Sequence, residues 1–188
     1  MTAVAAQPFS NGNRKRASDI FGILNCMHDT TPSPHDLHFL RRAIEVARCS
    51  RANGNHPFGA VLVDAHNTVL LEAENSVGIT GDVTGHAEIN LVRRACTHIS
   101  REILATCTLY SSTEPCAMCS GAIHWGGIGR VVYALSETGL YAITGHHIHN
   151  DTMALPCRDI FAACHPAIEV VGPAIEDEAR IVHEGFWL

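Results

Sequence analysis

Two short stretches constrain this chain most: His86-Ala87-Glu88 and, further along, Thr113-Glu114-Pro115-Cys116-Ala117-Met118-Cys119. Cys116 and Cys119 have the spacing of one helical turn, in which residues three apart lie one above the other. Pro115 suits a helix start, because its missing N–H leaves no orphan donor there. A helix N-terminus favours thiolates through its positive dipole end, and Glu88 gains in the same way at the start of its own helix. Two thiolates and the imidazole of His86 supply three ligands to a zinc ion. The fourth position stays open, which separates a catalytic zinc from a structural one. Residues two apart on a helix point to nearly opposite sides. His86 and Glu88 can therefore address one cavity only if their motif straddles a helix start. Gly85 permits such an entry, and His86 is expected in the first turn.

Composition narrows the partners. With 188 residues the chain is expected to form one domain with a single core, residues 35–188, preceded by a polar, turn-rich arm over residues 1–34. Ile20 to Leu24 is a short apolar patch within that arm. The formal net charge is −6 and the sequence pI is near 6.1. The basic pairs Arg41-Arg42 and Arg93-Arg94 are short and scattered, as on solvated helix faces. A nucleic-acid binder carries a basic stripe instead, so a small uncharged substrate is expected and nucleic acid is not. No apolar run reaches the roughly 20 residues of a membrane helix. Arg14-Lys15-Arg16 is not followed by an apolar run and a cleavage site, which points to a cytoplasmic protein. Of eight cysteines, two are assigned to the metal. The others (Cys26, Cys49, Cys96, Cys107, Cys157 and Cys164) are expected to be reduced, several as small buried hydrophobes.

Periodicity places the elements. A helix is expected over 36–50, with Leu37, Leu40, Ile44 and Ala47 on one face. Strands 58–63 and 68–74 flank the short turn at His66-Asn67 and should pair as a hairpin. A second helix follows near 86–98, then a strand at 106–110, a helix from Cys116 to about Gly126 and a strand at 130–134. The stretch 136–166 looks irregular and His-rich apart from a short helix near 158–163. A strand at 168–171 and a helix at 176–184 close the chain. Strands alternating with helices imply an α/β fold, a sheet layered between helices.

His-x-Glu followed by Pro-Cys-x-x-Cys is the signature of zinc-dependent base deaminases. In that chemistry zinc lowers the pKa of its water toward about 7. Glu88, which is not a ligand, would carry a proton from that water to a ring nitrogen and then to the departing amine. The contrasting arrangement is a four-ligand zinc clip, with Cys107 or a later histidine as the fourth ligand.

Between Leu37 and Tyr133 the chain resembles the cytidine and deoxycytidylate deaminase-like superfamily, and within it the guanine deaminase and tRNA adenosine deaminase branch. The resemblance rests on Pro57-Phe58-Gly59-Ala60-Val61, Asn75, His86-Ala87-Glu88 and Glu114 to Cys119 with Gly121-Ala122-Ile123. It implies a three-layer α-β-α fold with a five-stranded mixed sheet, and a homodimer or larger homo-oligomer. It also implies substrate contacts. Asn75 would bond the base, the Ala87 N–H would meet the incoming oxygen, and the Ser112-Thr113-Glu114 segment would offer a carbonyl. Phe58 and Trp125 would line the pocket, and Phe186 or Trp187 would close it. Each has a plainer alternative: Asn75 as a turn residue, Phe58 as core, and Phe186-Trp187 as packing for the last helix. His146, His147 and His149 form either a second metal site or a solvated loop.

Three functions are compatible with these residues. The first is hydrolytic deamination of a small aminated base or nucleoside, guanine foremost. The second is deamination of adenosine in tRNA, which needs a basic surface for the backbone. The third is a non-catalytic, zinc-stapled binding module.

Overall fold

The computed structural model describes residues 31–145 and 153–187. In chain order its elements are α1 (Pro34–Ala52), β1 (Gly59–Val63), β2 (Val69–Glu74), α2 (Val77–Thr80), α3 (Ala87–His98), α4 (Arg101–Leu104) and β3 (Thr108–Thr113). There follow α5 (Ala117–Gly126), β4 (Arg130–Leu135), α6 (Glu137–Thr144), α7 (Cys157–Ala162), β5 (Glu169–Val171), α8 (Glu176–Arg180) and a 3-10 turn at Ile181–His183. The strands form one mixed sheet in the order β2-β1-β3-β4-β5. Strand β1 runs antiparallel to β2 and β3, while β3, β4 and β5 are parallel. The expected five-stranded, three-layer architecture is the one found.

Strand β1 (Gly59–Val63) is apolar throughout, and β4 is apolar after Arg130, because both of their faces are covered. In β1, Ala60 and Leu62 face the layer of α3, α5 and α7, whereas Val61 and Val63 face α1 and α8. Helix α1 begins earlier than its periodicity suggested. Ser33 caps it, Pro34 occupies the first turn, and Ser33 and Asp36 close a reciprocal capping box. Gly59 lets α1 lie close on the sheet: a Cβ there would stand 2.5 Å from Ala43 O and Ala47 N. The β1–β2 hairpin forms as expected. Asp64 accepts from the N–H groups of His66 and Thr68, both at 2.8 Å, and Asn67 takes the left-handed conformation.

The segment expected to be irregular instead contains α6. Ser136 caps it by accepting from Gly139 N–H at 3.0 Å. Gly139 in the first turn masked the apolar spacing of Leu140 and Ile143. Short helices α2 and α4 were also not expected. Residues 1–30, most of the expected arm, and His146, His147 and His149 lie outside the described residues. No helix among the described residues is long and apolar enough to cross a membrane.

One buried charge ties α1 to the sheet. Asp36 is 3% exposed; it accepts from Tyr110 Oη at 2.8 Å and from both Arg130 terminal nitrogens, at 2.7 and 3.1 Å. Burial alone would raise its pKa. The Arg130 and Ser33 donors outweigh that and hold it well below the usual carboxylate range. Asp36→Asn leaves Arg130 with Glu169 as its remaining carboxylate partner and weakens its charge-assisted hydrogen bonds to residue 36, so denaturant unfolding should show a loss of about 1.5–3 kcal/mol. A depressed carboxylate stabilises above its unfolded pKa, about 3.9, and ceases to as pH falls below it. The wild type should therefore lose stability more steeply than the variant between about pH 4 and pH 2.

Candidate active site

The site lies beyond the carboxyl ends of the parallel strands β3 and β4, where helices turn away from the sheet. His86 is the N-cap of α3, with an extended backbone, and α3 starts at Ala87. That resolves the spacing problem: His86 stands outside the helix and Glu88 inside it, so their side chains can share one side. Gly85 is needed for a close approach, since a Cβ there would lie 2.5 Å from Ser76 Oγ. Cys116 is likewise the N-cap of α5 and extended, with Cys119 in the first turn. Pro115 therefore precedes the cap and is not the first helical residue, and Cys116 is not stacked above Cys119 on a helical turn. Two helix N-termini, each with unpaired N–H groups, thus converge on one point.

His86 Nδ1 lies 3.7 Å from Cys116 Sγ and 3.5 Å from Cys119 Sγ. Tetrahedral zinc, with Zn–S near 2.3 Å and Zn–N near 2.1 Å, separates nitrogen and sulfur ligands by about 3.6 Å. The donor set, one imidazole and two thiols, is also zinc chemistry. No fourth His, Cys, Asp or Glu joins the cluster among the described residues, Cys107 included; the later histidines His146, His147 and His149 lie outside those residues. The Cys119 thiol and His86 hold the Cys116 thiol down to about 4 despite burial. The Cys116 interaction, with burial, pushes Cys119 up. His86 is raised, chiefly by Cys116.

Glu88 is 6% exposed. Its Oε1 accepts from Ser111 Oγ at 3.0 Å, and its Oε2 lies 3.5 Å from Cys119 Sγ. Burial lifts its pKa above the usual range, Cys116 adds to that, and His86 opposes it. These groups open into a cavity of about 300 Å³. Phe58, Met118, Leu140, Tyr141 and Met153 give the cavity apolar walls, and Thr113, Glu114 and Glu137 add polar groups. A wider surface groove of about 450 Å³, lined by Arg42, Glu72 and Arg94 among others, contains none of the site residues.

The geometry sorts the other expected residues. Ala87 is fully buried at the first position of α3. Asn75 Oδ1 accepts from Val77 N–H at 2.9 Å, so Asn75 does serve the turn. Its Nδ2 is buried without a partner. Glu114 has a positioning role: its carboxylate accepts from Glu137 N–H and Cys157 N–H, both at 3.0 Å, fixing the starts of α6 and α7. Trp125 is not brought to the cavity. It stands six residues past Cys119, roughly 240° further round a helix, and is 77% exposed. Phe186 and Trp187 reach the cavity only through Phe58. Trp187 packs 6.0 Å from the Phe58 ring and stacks on His183, and Phe186 packs on Trp187. Sequence reasoning missed Ser111, Glu137, Leu140 and Tyr141. Ser136 as a helix cap was the available signal for the last three.

The model of the cytidine and deoxycytidylate deaminase zinc-binding region matches residues 33–135. The chain belongs to that family. It is a zinc-dependent hydrolytic deaminase cleaving C–N bonds, and its fold and donor set agree. It is 47% identical over 161 residues to a probable cytosine deaminase of Schizosaccharomyces pombe, covering 86% of this chain and 98% of the relative. It is 41% identical over 102 residues to a guanine deaminase of Bacillus subtilis, covering 53% of this chain and 64% of that one. A solved structure of a tRNA:A34 deaminase, from work on A-to-I editing at the wobble position of transfer RNA, superposes with TM-score 0.59 at 28% identity. That alignment covers 78% of this deaminase and 99% of the other chain.

Serine at Cys116 or Cys119 should cost zinc affinity more than the roughly 10–100-fold typical of losing a supporting partner. Metal analysis after gel filtration should find either variant depleted, and exposed Cys49→Ser fully loaded. Full loading of Cys119→Ser would remove it from the ligand set.

Proposed function

We propose that this deaminase acts on a small aminated base, cytosine first and guanine next, with Glu88 as its proton carrier. The observation that carries the reading is the pairing of a buried carboxylate with the His-Cys-Cys cluster at the floor of one ring-sized cavity. Cytosine is placed first because the probable cytosine deaminase aligns over 98% of its length, and the guanine deaminase over 64%.

Zinc, when bound by His86, Cys116 and Cys119, supplies Lewis acidity that brings the pKa of water to about 7. Glu88 takes a proton from the attacking water and holds it on a carboxylate oxygen. The Ser111 hydroxyl keeps that carboxylate in place. Burial favours its protonated form, so Glu88 retains the proton long enough to pass it to a ring nitrogen. It then moves a proton to the departing amine, which leaves as ammonia. The N–H of Ala87, unpaired at a helix start, bonds the oxygen that replaces the amine. Asn75 Nδ2, buried and unpartnered, supports a contact with the base. Phe58 and Leu140 supply apolar faces for the ring and exclude water.

A polynucleotide substrate is the second reading, supported by the 28% identity to the tRNA:A34 deaminase structure. The charge of −6 speaks against it, as do arginines already paired with acids, Arg41 with Glu178 and Arg42 with Glu72.

Ammonia release should be measured over cytosine, guanine, adenine, their nucleosides and tRNA. Turnover is expected on one or a few free bases. Glu88→Ala should keep its zinc and lose about 10²–10⁴-fold in kcat, the usual contribution of a general acid–base. A variant with near wild-type turnover would sink the role of Glu88. Turnover of tRNA alone would move the assignment to the second reading.

A further inference from the structure

Besides Glu88 the cavity is lined by two acidic groups that the proposed reaction leaves unused, Glu114, which anchors α6 and α7, and Glu137. Glu137, the first residue of α6, lines the wall with Leu140 and Tyr141. Its backbone is fixed, because its N–H donates to Glu114 Oε2 at 3.0 Å. Its carboxylate is oriented too. Tyr141, one helical turn on, donates its hydroxyl to Glu137 Oε1 and accepts from Met153 N–H at 3.2 Å. A phenol has a single proton to give. With Met153 donating to the oxygen, that proton is committed to Glu137, and Glu137 is fixed as an acceptor. Among the described residues no hydrogen bond reaches its Oε2.

The surroundings favour a donor at that oxygen. The carboxyl is partly desolvated and stands near the Glu114 carboxylate, and both effects raise its pKa. A neutral N–H donor relieves that cost without a countercharge. In the same wall Thr113 Oγ1 is buried without a partner, on a residue only 4% exposed. A cavity of about 300 Å³ is at the small end of the roughly 300–1,000 Å³ range of ligand sites, the size for a base without its sugar.

A free aminated base carries a ring N–H at the nitrogen where its nucleoside carries the sugar carbon. We propose that Glu137, held by Tyr141, is a specificity-determining residue that accepts this ring N–H and so selects free bases over nucleosides. The inference rests on the proposed base-deaminase reading and deepens it. A nucleoside sets carbon against the carboxylate and leaves it desolvated with no donor. Sites built to hydrogen-bond a substrate N–H reject analogues lacking it by up to about 10⁴–10⁵. In Glu137→Gln the Tyr141 hydroxyl would hold the amide oxygen and turn the NH₂ toward the ring, so that two donors face each other.

The test uses the zinc-loaded full chain. kcat/KM is measured for cytosine against cytidine and guanine against guanosine, in wild type, Glu137→Gln and Tyr141→Phe. Binding of uracil against uridine and xanthine against xanthosine is measured by calorimetry alongside. Wild type should favour free bases in both assays. Glu137→Gln should narrow the base-to-nucleoside ratio at least about tenfold, and Tyr141→Phe by less. Equal losses on base and nucleoside would reduce Glu137 to a structural role and overturn the proposal, as would a wild type that prefers nucleosides. A wild type that releases no ammonia, yet binds free bases with a preference that Glu137→Gln narrows, would sink the reaction and keep this inference. Absence of binding in both assays would overturn both.

Discussion

The site depends on two helix starts meeting at one point. His86 caps α3 and Cys116 caps α5, each with an extended backbone that turns its side chain back past the helix end. In that position the unpaired N–H groups and the dipole of each helix favour thiolate, carboxylate and developing negative charge. Had His86 been one residue inside α3, it and Glu88 would have diverged. The packing of α3 on α5 across one face of the sheet therefore sets both the spacing of the His-Cys-Cys cluster and the reach of Glu88.

The two faces of the sheet carry different burdens. The face under α1 and α8 is mainly apolar and includes the buried Asp36, whose ring of donors locks the first helix to β3 and β4. The face under α3 and α5 ends in the site, where Ser111 and Thr113, two residues apart on β3, point to the same side. Ser111 holds Glu88, while Thr113 faces the cavity. Glu114 links the layers by bonding the starts of α6 and α7, so the wall of the cavity is hung from the strand that precedes the metal motif.

The family match ends at residue 135, and the wall of Glu137, Leu140, Tyr141 and Met153 begins just after it. The His-Cys-Cys cluster and Glu88 lie within the matched region, together with the cavity residues Phe58, Thr113 and Glu114. The alignment with the probable cytosine deaminase, over 161 residues, extends past residue 135.

Much of this was legible in the chain itself. Metal ligands, carboxylate and hairpin follow from short-range chemistry: the spacing of Cys116 and Cys119, the entry at Gly85, and the turn at Asp64 to Thr68. Strands buried on both faces announce themselves as apolar runs. What sequence could not decide depends on groups distant in the chain. Helix α6 was hidden because Gly139 weakens local propensity, while its stability comes from Ser136 as a cap and Glu114 as an anchor. Trp125 resembled a pocket residue, yet the turn of α5 carries it outward. Only tertiary packing sets the direction a side chain takes from a helix, and which backbone N–H a carboxylate such as Glu114 reaches. The sequence by itself therefore determined the chemistry of the site, because ligand type and spacing are local. The tertiary structure decided the shape of the cavity, because its walls come from elements that meet only when the sheet is assembled.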